Sequence, residues 1–216
     1  MPQPLNNPLD RYAFYYTALS TPAFLRQREL GGDSGDPNNP GLPPHGNPHH
    51  VRYLQAALDA ELKHADILIR AGATTHAKLF YFPTSTFERL GTALQPDTFL
   101  GSMEQLETIS IGLYLAAVAQ LSRYGRPDLV QLIAEITGVE AEHRMLGRVI
   151  ANSKPANNLT LEKEPFAYVS EAYTALLPFL SKDVAGTVSR PVALPSRAHV
   201  ARVVGRYGTR RVSRFL

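Results

Sequence analysis

Cysteine is absent from this 216-residue chain, and its absence removes three kinds of chemistry. Disulfide bonds, thiolate metal sites and cysteine nucleophiles are all excluded. Any metal bound by the chain must be held by oxygen and imidazole nitrogen. Such a donor set suits iron, manganese or zinc.

Acidic residues are missing from the last 27 residues, which contain seven Arg. Without that segment the chain has 15 basic and 19 acidic residues, so the formal net charge changes from +3 to −4. The basic character therefore belongs to the C-terminal segment alone. Clustered Arg attracts phosphate, but the acidic remainder argues against nucleic acid as a partner.

Long apolar runs are also missing. The longest, residues 109–121, contains Ser and Gln, so no transmembrane segment is expected. The N-terminal residues lack the charged and apolar regions of a signal peptide. A hydrophobic content of 44% is enough for the core of one domain, with or without appendages.

Helical periodicity dominates what is present. Apolar stripes, Pro at helix starts and Gly at helix ends predict helices at about 10–20, 48–71, 99–124, 127–152 and 166–180. The Gly- and Pro-rich residues 31–48 indicate a long loop. Residues 73–99 are apolar but irregular, which favours a crossover packed along a helical bundle over a flexible linker. Strand signals are scarce, so the predicted fold class is all-α.

Two Glu-x-x-His steps, Glu61–His64 and Glu140–His143, are the most informative motif. Positions i and i+3 share a helix face, so each step directs a carboxylate and an imidazole to the same side. Both steps lie on the apolar stripes of predicted helices, where an unpaired carboxylate is costly. A metal pair between two such helices would satisfy them. A local hydrogen-bonded Glu–His couple in an ordinary bundle core is the alternative.

A third carboxylate is expected from the helix at 99–124. Glu107 shares a face with apolar residues and Tyr114, whereas Glu104, one turn earlier, is its competitor. Tyr114 itself is expected to be a core tyrosine with a bonded hydroxyl. The histidines at 45, 49 and 50 are expected to belong to a solvated loop at a helix entry.

Three segments carry a resemblance to a known family. They are residues 53–64, residues 106–117 and residues 138–144, together with the downstream residues 155–162 and 175–179. These segments resemble the ferritin-like family, and more narrowly its bacterial and plant desiccation-related branch, over roughly residues 10–182. The resemblance implies a four-helix bundle with a long crossover between the second and third helices. It also implies five metal ligands, which are Glu61, His64, Glu107, Glu140 and His143.

One departure from the family concerns the first helix. The resemblance places another Glu near residue 7 or 8, where this chain has Asn7 and Pro8, and Asp10 is the nearest substitute. The first helix is therefore expected to be shortened. The expected organisation is a truncated first helix and lead-in at 1–30, a bundle at 31–182 with its crossover at 73–99, and a basic, flexible tail at 183–216.

The functional expectation is a bundle that binds one or two iron or manganese ions. Its chemistry would be oxidation of Fe(II) by dioxygen or peroxide, of the ferroxidase type. The alternative is a non-catalytic stress-protection or structural bundle with a degenerate site. Metal ions are the expected partners, and a homo-oligomer is compatible with the resemblance. The localisation stays open, because relatives of this branch often carry export signals.

Overall fold

The computed structural model describes residues 11–30, 49–74, 77–157, 159–162, 165–182 and 189–205. The described chain is mostly helical, which is compatible with the predicted all-α class, and it also has a small two-stranded sheet. The α-helices are α1 (Arg11–Leu19), α2 (Pro22–Leu25), α3 (His49–Arg70), α4 (Phe99–Arg123), α5 (Pro127–Ile150), α6 (Val169–Leu180) and α7 (Arg197–Val204). The strands are β1 (Leu79–Pro83) and β2 (Ser189–Ala193). Two 3₁₀ turns are Arg28–Leu30 and Thr84–Phe87.

Helix α3 forms where the apolar stripe predicts it. Its buried residues are Leu54, Ala57, Leu58, Glu61, His64, Ala65 and Leu68, which recur at helical spacing. Glu61 and His64 therefore lie on the buried stripe and not on the solvated face. The helix ends before Gly72, which adopts a φ of +99°.

Helices α4 and α5 form a tight helical hairpin. Gly125, with a φ of +67°, makes the turn between them, and Pro127 occupies the first turn of α5, where a missing N–H costs nothing. At the other end of α4, the Thr98 side chain accepts a hydrogen bond from the Gly101 N–H at 3.4 Å. The hairpin brings Glu107 and the Glu140–His143 step to the same level of the fold.

The predicted flexible tail is wrong for residues 189–204. Strand β2 pairs antiparallel with β1, from Leu79 opposite Ala193 to Pro83 opposite Ser189. Helix α7 packs on α3, with Val200 and Val204 buried. Apolar side chains and a strand ladder therefore hold a segment whose Arg content suggested solvation.

The described contacts of α7 with α3 include two polar links. Arg197 forms an ion pair with Asp66, and the Gln55 side-chain amide donates to the Val203 carbonyl at 2.8 Å. The crossover predicted at 73–99 is less irregular than expected, because it contains β1 and the 3₁₀ turn Thr84–Phe87.

The first apolar cluster holds α1 in place through aromatic rings. Phe14 stacks on Phe99 with ring centroids 4.6 Å apart, and Phe82 and Phe87 also lie against Phe14. This cluster continues through Leu58, Leu106 and Ile150, among others. Phe14 holds α1 against this cluster, and its helix neighbours Arg11 and Tyr15 are buried as well.

The second apolar cluster lies at the other end of the same helices. It includes Leu68 of α3, Leu113 and Tyr114 of α4, and Ile133 and Ile136 of α5. Along each of these helices, the buried Glu and His residues fall between the two apolar clusters. Apolar side chains therefore cover the polar centre at both ends.

A close backbone approach also fixes α4. A Cβ at Gly112 would lie 2.5 Å from the Pro165 ring, so only glycine fits where the loop before α6 crosses the helix.

Within the described residues, no helix combines the length and apolar character needed to span a membrane.

Candidate metal centre

Three carboxylates and two imidazoles converge between the apolar clusters. Glu61 and His64 come from α3, Glu107 from α4, and Glu140 and His143 from α5. All five are buried, with relative exposures of 2%, 7%, 1%, 0% and 6% in that order. The structure thus brings together every site residue predicted from the sequence.

Four of these residues form a group compact enough for one ion. Glu61, Glu107, Glu140 and His143 each offer a ligand atom, and these atoms all lie within 4.8 Å of one another. His143 Nδ1 lies 2.9 Å from Glu61 Oε1, 3.5 Å from Glu140 Oε2 and 4.0 Å from Glu107 Oε1. A buried carboxylate and imidazole cluster of this size could hold a metal.

Glu104, the competitor of Glu107, is not part of the cluster. Its carboxylate accepts from the Arg148 guanidinium at 2.6 and 3.1 Å, at a half-buried position. This placement of Glu104 agrees with the prediction of Glu107, on the apolar face of α4, as the third carboxylate. Asp10 lies outside the described residues.

Arg11 is the residue that the sequence analysis missed. Its guanidinium is 3% exposed and lies among the three carboxylates. Nη1 donates to Glu107 Oε2 at 2.8 Å and to Glu140 Oε2, and Nη2 donates to Glu140 Oε1 at 2.6 Å. Nη2 also lies 3.2 Å from Glu61 Oε2. No local sequence pattern marks Arg11, because its carboxylate partners lie far away in the sequence, on α3, α4 and α5.

Two tyrosines complete the surroundings. Tyr15 donates its hydroxyl to Glu107 Oε1 at 2.7 Å. The Tyr114 hydroxyl accepts from Arg11 Nη2 at 3.3 Å, which confirms the expected core tyrosine with a bonded hydroxyl. Burial raises the pKa of both hydroxyls well above the ordinary value, so each remains protonated and can act as a neutral hydrogen-bonding group.

The carboxylates respond differently to the same surroundings. Burial tends to raise the pKa of Glu140, but Arg11 and the two imidazoles outweigh it and hold that pKa well below the ordinary value. Burial raises the pKa of Glu107 to about 8, because Arg11 compensates it only in part and the charges of Glu140 and Glu61 add to the rise. Glu140 therefore remains ionised, whereas Glu107 holds a proton more tightly than an ordinary carboxylate does.

Both imidazoles bind protons tightly when only the protein surrounds them. Burial lowers the pKa of His143, but its contacts with Glu140 and Glu61 reverse this and raise it to about 10. The same opposition raises the pKa of His64 to about 9. A metal ligand must be a neutral imidazole, so cation binding here would release protons.

The cluster also has unsatisfied polar atoms. Among the described residues, the buried side-chain nitrogens that lack a hydrogen bond are Arg11 Nε and His64 Nδ1. His64 Nδ1 lies 3.1 Å from Glu140 Oε1 but without the alignment of a hydrogen bond. An unsatisfied imidazole nitrogen beside carboxylates fits a site for a cation.

Every candidate ligand atom in the cluster is a carboxylate oxygen or an imidazole nitrogen. The two Glu-x-x-His steps and Glu107 on a third helix are compatible with a carboxylate and histidine metal site. Comparisons of the chain with protein-family models, curated proteins and solved structures find no match.

Proposed function

We propose that this protein is a ferritin-like helical bundle that binds iron or manganese through Glu61, Glu107, Glu140 and His143. The observation that carries the proposal is the meeting of four buried ligand atoms, from three helices, within 4.8 Å. The paired acid and imidazole steps on α3 and α5 support membership of the ferritin-like family and its desiccation-related branch.

Charge balance supports a cation in this position. As metal ligands the three carboxylates are ionised and carry three negative charges, and Arg11 supplies one positive charge. With neutral imidazoles, two negative charges remain in a buried setting where uncompensated charge is expensive. One divalent ion would neutralise them.

The donor set also favours the kind of ion. Carboxylate oxygen and imidazole nitrogen suit iron and manganese, and no thiolate is present to select a softer metal. Bound iron would supply one-electron chemistry, and anionic carboxylates favour its more highly charged state. Oxidation of Fe(II) by dioxygen or peroxide is the reaction that this environment supports best.

The test is metal content and metal-dependent stability. Protein purified without chelator should contain iron or manganese, and added Mn(II) should raise the melting temperature of chelator-treated protein by mass action. Glu140→Ala and His143→Ala should abolish both effects, since each removes a ligand.

Exposed residues of the same types provide matched controls. Glu135 is exposed on α5, and His199 is exposed on α7, so Glu135→Ala and His199→Ala should bind as the wild type does. Wild-type protein that stays metal-free, with melting unaffected by either ion, would reject the proposal.

A second candidate is a metal-independent stress-protection or structural bundle. The cluster contains as many basic side chains as carboxylates, and this equality favours the second candidate. The three basic side chains are Arg11, His64 and His143. With the pKa of both histidines raised, the cluster can neutralise itself as a buried ionic network. The same titration separates the two candidates, because this one requires no response to Mn(II).

A further inference from the structure

The carboxylate oxygens divide into two groups, one facing each imidazole. Glu61 Oε1, Glu140 Oε2 and Glu107 Oε1 face His143 Nδ1, at 2.9, 3.5 and 4.0 Å. Glu140 Oε1 and Glu61 Oε2 face His64 Nδ1, at 3.1 and 3.9 Å. Glu61 and Glu140 therefore give one oxygen to each side, as carboxylates between two cations would.

Arg11 takes up the oxygens on the His64 side. Its Nη2 lies 2.6 Å from Glu140 Oε1 and 3.2 Å from Glu61 Oε2, the same two atoms that face His64. The His64 nitrogen, at a residue only 7% exposed, is left without a hydrogen bond beside them. On the His143 side, Nη1 donates to Glu140 Oε2, whereas no described hydrogen bond or ion pair joins the guanidinium to Glu61 Oε1 or Glu107 Oε1.

We propose that the Arg11 guanidinium is the permanent cation of the His64 side, so that the centre takes one metal ion, on the His143 side. This inference rests on the proposed function. The ion would be held by Glu61, Glu107, Glu140 and His143, and His64 would not be a ligand in the wild-type protein.

Charge counting explains why a second ion is excluded. Three carboxylates, one guanidinium and one divalent ion sum to zero, whereas a second divalent ion would leave a buried charge of +2. Arginine cannot relieve this excess by losing its proton. A fourth carboxylate in place of the guanidinium would instead balance two divalent ions.

The inference is tested with Arg11→Glu and Mn(II). Manganese per chain, measured by elemental analysis after equilibrium dialysis, should be one for the wild type and two for Arg11→Glu. Arg11→Lys keeps the positive charge and should stay at one. Arg197→Glu, which reverses the charge of an exposed arginine on α7, is the matched control and should also stay at one.

Histidine variants assign the two positions. His64→Ala should leave the wild type at one ion but reduce Arg11→Glu from two to one. His143→Ala should weaken Mn(II) binding to otherwise wild-type protein by at least about 100-fold. These variants decide the question even if Arg11→Glu does not fold, because wild-type binding that suffers equally from His64→Ala and His143→Ala overturns the inference.

The failure of this inference differs from the failure of the proposed function. A wild type that binds one ion, with Arg11→Glu also binding one, overturns the role of Arg11 and leaves metal binding intact. A wild type that binds two ions also overturns the role of Arg11 and leaves metal binding intact. A wild type that binds no ion rejects the proposed function itself.

Discussion

At the scale of single residues, Arg11 shows how far apart in sequence the partners in a buried cluster can lie. It contacts Glu107 and Glu140, which are 96 and 129 positions away. Four other cluster residues were predictable, because acid and imidazole at i and i+3 on an apolar stripe form a local pattern, and Glu107 was predictable from its place on the apolar face of α4. Arg11 has no such pattern, since its partners are determined only when α1 packs on the other helices.

The raised histidine pKa values predict how stability depends on pH. The pKa of His143 is about 10 and that of His64 about 9, against an ordinary 6.5. The folded state binds these protons more tightly, so their contribution to stability is complete below pH 6.5 and is lost as the pH rises through 9 and 10. Glu107, with its pKa raised to about 8, acts in the same direction. We expect the melting temperature of chelator-treated protein to fall between about pH 7 and pH 10.

His143→Asn is the informative comparison for this pH dependence, because asparagine keeps a polar side chain but does not titrate. Its melting temperature should decline less steeply over the same range, while His199→Asn on the surface should decline as the wild type does. A wild-type melting temperature that stays constant or rises toward pH 10 would contradict the prediction.

At the scale of elements, the long helices followed from sequence and the C-terminal packing did not. The stripe of α3 and the Gly125–Pro127 turn are local signals, so bounds near His49–Arg70 and Pro127–Ile150 could be predicted. Strand β2 becomes a strand only by pairing with β1, more than 100 residues earlier in the chain. Its composition shows arginine and proline, which gave no sign of a partner.

The packing of α7 on α3 predicts a large effect from one buried side chain. Val200 is 1% exposed within the first apolar cluster. Val200→Asp places an unpaired charge there and should reduce the free energy of unfolding by about 3 kcal/mol or more. Urea denaturation followed by circular dichroism measures the change.

The neighbouring residue on the same helix provides the control for Val200. Ala201 is exposed, so Ala201→Asp should change the free energy of unfolding by no more than about 0.5 kcal/mol. Equal and small effects at both positions would mean that α7 does not pack on the bundle.

At the scale of the whole molecule, the polar centre lies between two apolar clusters built on the same three helices. Leu58 belongs to the first cluster and Leu68 to the second, and Glu61 and His64 lie between them on α3. Because α3, α4 and α5 run through both clusters, we expect the molecule to unfold as one cooperative unit.

Cooperative unfolding can be tested from both ends of the bundle. Leu58→Ala and Leu68→Ala should each lower the same single transition, with a cost of roughly 2–5 kcal/mol. Tyrosine fluorescence and circular dichroism should give coincident curves for both variants. Leu94→Ala is the control, because Leu94 is 92% exposed and its removal should leave the transition unchanged. Two separate transitions in either core variant would show that the clusters unfold independently.

The position of Arg11 on α1 has a consequence for biosynthesis. A ribosome releases the guanidinium first, then Glu61, Glu107 and finally Glu140, so the nascent chain holds this positive charge long before its last acidic partner exists. The centre can close only after α5 has emerged. Until then α1 can rest on its aromatic neighbours Phe82, Phe87 and Phe99, all of which are translated before α5.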